Sequence, residues 1–353
     1  MSINNKKFLF NNKNIITSNN FSRNADVVFS ESINNFEYDE IDKKTNTCKV
    51  TSDSETTLYF LTKFSLKEND IIFCNTIFVE ELFKILKNVT NLKNLKLITS
   101  QSDLQINKSL YKKKPNCIST WYAVNVAFDN PNLIPIPLGL PETRSSKNVI
   151  FDDLEKIKKI PKGKIPMIFS NFNLNTKYFH RYRIAKKGFE NPTFTVMKAN
   201  LNYQNYITQV TKHKYTLAPW GNGIDTHRLW EILYSGSIPV TFYHKTFKNF
   251  NDLPILFIKS MKDLDVSYLE KQNVRNDNYD KLYVNWWIDL IKAKKITSSE
   301  AIDVELRFKE IKKIKKTYKS KITLINFKKK FYTIFRKVHK KTIGIKVNRA
   351  IGF

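Results

Sequence analysis

The chain has 353 residues, 41% of them hydrophobic and 13% aromatic, which suits a packed protein and excludes an intrinsically disordered one. That length exceeds what one apolar core usually supports, so two domains are expected. The net charge is +28, yet residues 311–353 hold 15 Lys and Arg and no acid, which leaves +13 for the first 310 residues.

Three cysteines, Cys48, Cys74 and Cys117, are far apart and odd in number. They fit reduced thiols better than a disulfide framework, and with no CxxC or Cys/His cluster a structural zinc site is not expected. No apolar run reaches the 18 or so residues that span a bilayer, and "MSINNKKFLFNNKNII" has no signal-peptide core. The expectation is a cytoplasmic protein, either free or peripheral on the inner face of a membrane.

Short apolar strands alternate with helical patterns along the chain. "ADVVFS" (25–30) and "DIIFC" (70–74) read as strands. "NTIFVEELFKILKNV" follows with Ile77, Phe78, Leu82, Phe83, Leu86 and Val89 at helical spacing. "LKLITS" (95–100) is the next strand, and "LIPIPLGL" (133–140) is extended and punctuated by proline. Strand, helix, strand in that order predicts a parallel sheet covered by helices. A polar and charged stretch, "PETRSSKN" and "FDDLEKIKKIPKGK", then marks a boundary near residues 145–165. The expected units are an acceptor-side α/β domain over 1–150, a second α/β domain over 151–305 and a basic tail over 306–353.

The second unit restarts with "IPMIFSNF" (165–172) as a strand, "YITQVTKH" (206–213) as a helix and "KYTLAP" (214–219) as a strand. "RLWEILYSG" (228–236) is a helix closed by Gly236, and "SIPVTFY" and "LPILFIKS" are further strands. Between strand and helix stands "WGNGIDTH". Only 8 glycines occur in the chain, and three of them, Gly221, Gly223 and Gly236, fall within 16 positions. The helix is expected to start near Asp225 or Thr226, either of which is a competent N-cap. A helix N-terminus offers unpaired N–H groups to an anion such as a diphosphate. Gly221, Asn222 and Gly223 would let the backbone approach it, Arg228 would fork its oxygens, and Glu231 would accept from a ribose diol. The same residues also fit an ordinary tight turn, a plain cap and a surface ion pair. The pattern is neither GxGxxG nor a P-loop.

"LAPWGNGIDTHRLWEILYSGSIPV", followed by "FNDLPILFI", resembles the C-terminal donor-binding domain of exostosin-like glycosyltransferases, including the group related to ribitol xylosyltransferase. Upstream "NVAFDNPNLIPIPLGL", "FSNFNLNT" and "HRYR" look like segments of the same family, so the resemblance covers roughly residues 115–265. It implies a GT-B fold, two Rossmann-like domains facing a cleft, and transfer of a sugar from a nucleoside diphosphate, UDP rather than GDP, to a glycan or lipid-linked hydroxyl. It implies an inverting, metal-independent reaction, as in polysaccharide biosynthesis. By similarity Arg228 would contact the diphosphate, Glu231 the ribose, and Arg181 or Arg183 would supply a further cation. Asp225 and His227 are the donor-side candidates for catalysis, while Asp103, Asp129 and Glu142 are acceptor-side candidates for the general base. "DLD" (263–265) is the only Asp-x-Asp and stands at what reads as a helix start, so no metal site is expected there.

In the tail, Leu324, Phe327, Phe331, Ile334, Phe335 and Val338 recur at helical spacing among lysines and arginines. Such a helix suits an anionic membrane surface, or else packs back on the body. The alternative function class is a nucleic-acid-binding protein acting through this tail. The chain lacks helix-turn-helix, finger or aromatic RNA-binding signatures, so nucleic acid is not the expected partner.

Overall fold

The structure is a computed structural model that describes residues 14–141, 152, 156–157, 165–199, 201–274, 279–292 and 300–343. Its strands are β1 (Val27–Asn34), β2 (Thr47–Ser52), β3 (Thr56–Leu61), β4 (Lys63–Leu66), β5 (Ile71–Asn75), β6 (Leu95–Ser100), β7 (Ile118–Ala123) and β8 (Leu133–Pro135) in the first half. The second half adds β9 (Ile165–Ser170), β10 (Phe194–Val196), β11 (His213–Leu217), β12 (Ile238–Phe242), β13 (Leu256–Ile258) and β14 (Ile302–Glu305). The helices are α1 (Ser18–Ser22), α2 (Asn35–Asp42), α3 (Val79–Leu86), α4 (Lys108–Tyr111), α5 (Tyr178–Glu190), α6 (Tyr203–Lys212), α7 (His227–Tyr234), α8 (Val266–Glu270), α9 (Val284–Lys292) and α10 (Phe308–Ile343).

The first sheet runs β2-β3-β1-β5-β6-β7-β8. Strands β1, β5, β6, β7 and β8 are parallel, and β3 and β2 extend the edge as antiparallel strands. Strands β5 and β6 are buried throughout, Lys96, Thr99 and Ser100 included, because both faces of a parallel sheet are covered. Ile71, Phe73, Ile98 and Tyr122 join one apolar cluster, whereas Ile72, Cys74, Leu97, Trp121 and Ala123 join another on the opposite face. The second face carries α3, whose Leu82, Phe83 and Leu86 are buried, and the start of α10 through Ile314. Cys48, Cys74 and Cys117 are all free thiols.

The second sheet is wholly parallel, in the order β10-β9-β11-β12-β13. Strand order reverses between β9 and β11, and open α/β sheets leave a crevice outside the carboxyl ends of strands at such a point. One face packs on α5 and α8 through Ile184, Ala185 and Leu269. On the other face Tyr206, Ile207 and Val210 of α6 and Leu229, Trp230 and Ile232 of α7 belong to the same cluster as Phe73 and Ile98 of the first sheet.

The two sheets therefore share one apolar core. Trp230 meets Phe250 at 5.5 Å and Phe250 meets Trp287 at 5.7 Å, both edge to face. With ~200 Å² buried per ring at ~25 cal/mol per Å², these three side chains contribute on the order of 10 kcal/mol before chain entropy is subtracted.

Chain position and packing part company after residue 283. The sequence reading placed 151–305 together, but β14 pairs antiparallel with β4 of the first half, and the Lys96 ammonium of β6 donates to the Ile291 carbonyl of α9. Residues 284–292 and 302–305 thus return to the first sheet, because the apolar face of α9 (Val284, Trp287, Ile288, Ile291) completes the core beside it. Most of the expected boundary region, and Glu142 with it, lies outside the described residues.

Candidate functional site

A cleft of about 540 Å³ opens where the carboxyl ends of both parallel sheets meet. From the first half it is lined by Ser32 and Asn34 at the end of β1, Gln101 and Asp103 after β6, Asn125 after β7, and Leu138 after β8. From the second half come Thr176 after β9 and Gly221, Asn222, Gly223, Asp225, Thr226 and His227 after β11.

Helix α7 begins as the sequence suggests, with Thr226 at the N-cap in an extended conformation, but no side chain caps it. In its first turn the Leu229 N–H bonds the Thr226 carbonyl (3.0 Å), and Thr226 and His227 line the cleft. At its other end Gly236 adopts φ +78°, its N–H bonds the Leu233 carbonyl (3.0 Å), and the Ser237 N–H bonds the Ile232 carbonyl (3.3 Å). This is a Schellman closure, for which glycine at the left-handed position is the natural residue.

The glycine loop departs from expectation. The Gly221 N–H bonds the Gly223 carbonyl (2.9 Å), the Gly223 N–H bonds Asp103 Oδ1 (3.2 Å), and Asn125 Oδ1 accepts from Ile224 (2.8 Å) and Asp225 (3.0 Å). These amides are engaged, so the loop is a seam to the first half and not an open backbone cradle. Asn125, buried and at φ +61°, went unnoticed in the sequence. Its one signal was an Asn in a run of apolar residues where the chain leaves a strand.

Asp225 is 2% exposed, and its carboxylate accepts from the Leu138 N–H (2.8 Å) and from Trp230 Nε1 (3.0 and 3.1 Å). Burial outweighs these bonds and pushes its pKa up to about 7. With both oxygens held, Asp225 ties the segment after β8 to α7, so the structure gives it a positioning role in place of the expected catalytic one.

His227 has a different environment. Its Nδ1 lies 2.8 Å from the Gly139 carbonyl, which can only accept, so Nδ1 carries the proton and Nε2 keeps its lone pair. Burial lowers the pKa of this ring. A neutral imidazole with a free Nε2 in a cleft is competent to take a proton near neutral pH.

Behind the loop lie Arg181, Arg228 and Glu231, none of which lines the cleft. The Arg181 guanidinium donates to the carbonyls of Trp220 (2.8 Å), Asn173 (2.8 Å) and Pro219 (3.3 Å). Burial, and next the neighbouring Arg228 charge, lower its pKa to about 10. The Arg228 guanidinium stands over the Tyr206 ring at 5.1 Å, and its Nη1 is buried without a hydrogen-bond partner. Glu231, 4% exposed, accepts from the Tyr206 hydroxyl at 3.0 Å. Two guanidiniums thus back the N-terminal end of α7, a strongly cationic arrangement for a buried place.

Other expected residues fall elsewhere. Arg183 is exposed on α5, away from this group. Asp129 lies at the surface between Lys245 (2.5 Å) and Lys248 (3.4 Å), outside the cleft. In the "DLD" run Asp263 accepts from the Lys259 and Ser260 N–H groups and Asp265 caps α8, both local structural duties. Among the described residues no group of three or more His, Cys, Asp or Glu is placed to hold a metal, and no helix is long and apolar enough to cross a membrane. No protein-family model matches the chain, and no curated protein matches it.

Proposed function

We propose that the chain is a glycosyltransferase of GT-B architecture that transfers a sugar from a nucleoside diphosphate to a glycan or lipid-linked hydroxyl. The observation that carries this reading is the uncapped N-terminus of α7, opening on the cleft with a buried and unpaired Arg228 nitrogen behind it. A helix end backed by two guanidiniums stabilises the negative charge that builds on a departing diphosphate. In the reaction the bond from the anomeric carbon to the diphosphate oxygen breaks as the acceptor oxygen bonds to the opposite face. The acceptor proton passes to a base, and His227 Nε2 fits that role by protonation state and position. Asp103, which lines the cleft from the other side, is the rival. Glu231, buried behind the loop and accepting from the Tyr206 hydroxyl, acts in this reading on the Arg228–Tyr206 pair and not on the ribose.

The test is binding of UDP, GDP, CMP and dTDP to the wild type and to Arg228→Ala, by calorimetry or thermal shift, with and without EDTA. One nucleotide should stabilise the wild type regardless of EDTA and bind the variant about 10-fold or more weakly, as expected when a buried positive charge behind the helix end is removed. If no nucleotide binds while RNA or DNA does, the reading fails in favour of nucleic-acid binding through the tail.

A further inference from the structure

The basic tail forms one helix, α10, of 36 residues and so about 54 Å long. Its first turns belong to the body. Ile314 is buried, Ile311, Tyr318 and Ile322 pack beside it, and Tyr318 stacks on Phe78 at 5.5 Å. Lys321 Nζ then donates to the Ile77 carbonyl (2.8 Å) and to Glu81 Oε2 (3.0 Å).

Past Ile322 the apolar stripe changes sides. At about 100° per residue, Ile311, Ile314, Tyr318 and Ile322 share one face, whereas Leu324, Phe327, Phe331, Ile334 and Phe335 centre on the nearly opposite one. The second set is 54–64% exposed. The body stays on the original side, where Arg336 Nη1 donates to Asn175 Oδ1 (2.6 Å) and Tyr332 approaches Phe179 edge to face. Of the distal set only Phe335, at the stripe's margin, also meets Phe179. The distal stripe therefore does not continue the packing of the proximal one.

We infer that this distal face of α10 lies on an anionic lipid surface, its apolar side chains entering the headgroup region. Three aromatic rings and two aliphatic side chains form the stripe, and exposed Lys328 borders it on one side with Lys330 and Lys337 on the other. A second copy of the chain is the other conceivable cover, since Leu324, Phe327, Phe331 and Ile334 follow 3-4-3 spacing. Charge decides between them. Residues 311–353 contain no acid, so two such stripes face to face would oppose lysine to lysine, whereas each Lys or Arg near an anionic leaflet is favourable. Arg336 bonds the residue next to Thr176, which lines the cleft, so docking would bring the cleft close to the lipid surface. The inference does not depend on what the cleft binds.

The experiment is flotation of the full chain with phosphatidylcholine–phosphatidylglycerol vesicles, with pure phosphatidylcholine vesicles and at raised salt. The wild type should float with the anionic vesicles and not with the neutral ones, and lose binding as salt rises. The variant F327S/F331S/I334S should bind about 10-fold or more weakly, and K328E/K330E/K337E should show the same loss. The altered side chains are solvent-exposed, and unchanged thermal unfolding of both variants verifies that the body is intact. Absence of anionic-vesicle binding overturns the inference. So does sedimentation showing a wild-type dimer that the serine variant dissociates, or binding of RNA that the serine variant leaves untouched while vesicle binding is absent.

Discussion

Replacement of Asp225 by Asn should change how stability varies with pH. The wild-type carboxyl rises from an ordinary 3.8 to about 7 on folding because burial penalises its charge. Over that interval, at 1.36 kcal/mol per pH unit, the folded state's tighter hold on the proton corresponds to about 4 kcal/mol. The sign follows from the direction of the shift. A group whose folded pKa is raised contributes stability that is complete below pH 4, drains between pH 4 and 7 and is gone above. The asparagine variant lacks this titration and shares all the others, so the difference between the two proteins isolates it. An Asn oxygen at the Oδ2 position keeps the bond from Leu138, while its NH2 at the Oδ1 position loses the one from Trp230 at 3.0 Å; that cost does not vary with pH and leaves the pH dependence of the difference intact. Urea unfolding followed by tryptophan fluorescence at several pH values from 4.5 to 8 measures the difference. Wild type should lose up to about 4 kcal/mol relative to the variant as pH rises. A flat difference refutes the argument. A difference of opposite sign would mean that the N–H donors around the carboxylate outweigh its burial and that Asp225 is an anion throughout.

Two further outcomes are expected. Gly139→Ala should destabilise the fold by about 3 kcal/mol or more, since φ is +77° and a Cβ would lie 2.1 Å from the Ile16 carbonyl oxygen; a change within about 0.5 kcal/mol in urea titration would contradict this. His227→Gln should lower kcat for sugar transfer about 10²-fold or more with the donor KM little altered. The wild-type rate should fall off only at pH below the ordinary histidine value of 6.5, because burial lowers the pKa of this ring; an unchanged pH profile in the variant would remove His227 as the base.

The parts of the fold most legible in sequence are those with both faces buried. "DIIFC" and "LKLITS" each carry a compact apolar run (Ile71–Cys74 and Leu95, Leu97, Ile98), and α3 and α7 each carry a helical stripe between recognisable ends. The β2–β3 edge escapes notice because β2, "TCKVTS", is largely exposed and its composition reads as a loop. Helix α5 is missed for a similar reason, since only Tyr178, Ile184, Ala185 and Gly188 of its 13 residues are buried. The return of α9 and β14 to the first sheet is invisible to any local pattern, as apolar spacing states that α9 is covered and not by what. The tail did carry a readable sign. Ile322 and Leu324 are two apart, and a helical stripe that slips by two has changed faces.

The glycine density in residues 221–236 has a different cause from the one its sequence suggests. A Cβ on Gly223 would stand 2.9 Å from Asn125 Nδ2, so it is the approach of the first half that requires a bare backbone there. That approach consumes the loop amides, which Asp103 and Asn125 already hold. The loop thus presents no ring of free N–H groups of the P-loop kind, and the proposed diphosphate site rests on the end of α7 and the guanidiniums behind it. The distinction has a structural consequence. Asn125, Gly139 and Leu138 come from the first half and hold the loop, His227 and Asp225 of the second, so the geometry of the cleft exists only while the two sheets are docked. Beneath the cleft one apolar cluster joins Phe73, Ile98 and Tyr122 of the first sheet to Trp230, Phe250 and Trp287, and its burial favours that docking.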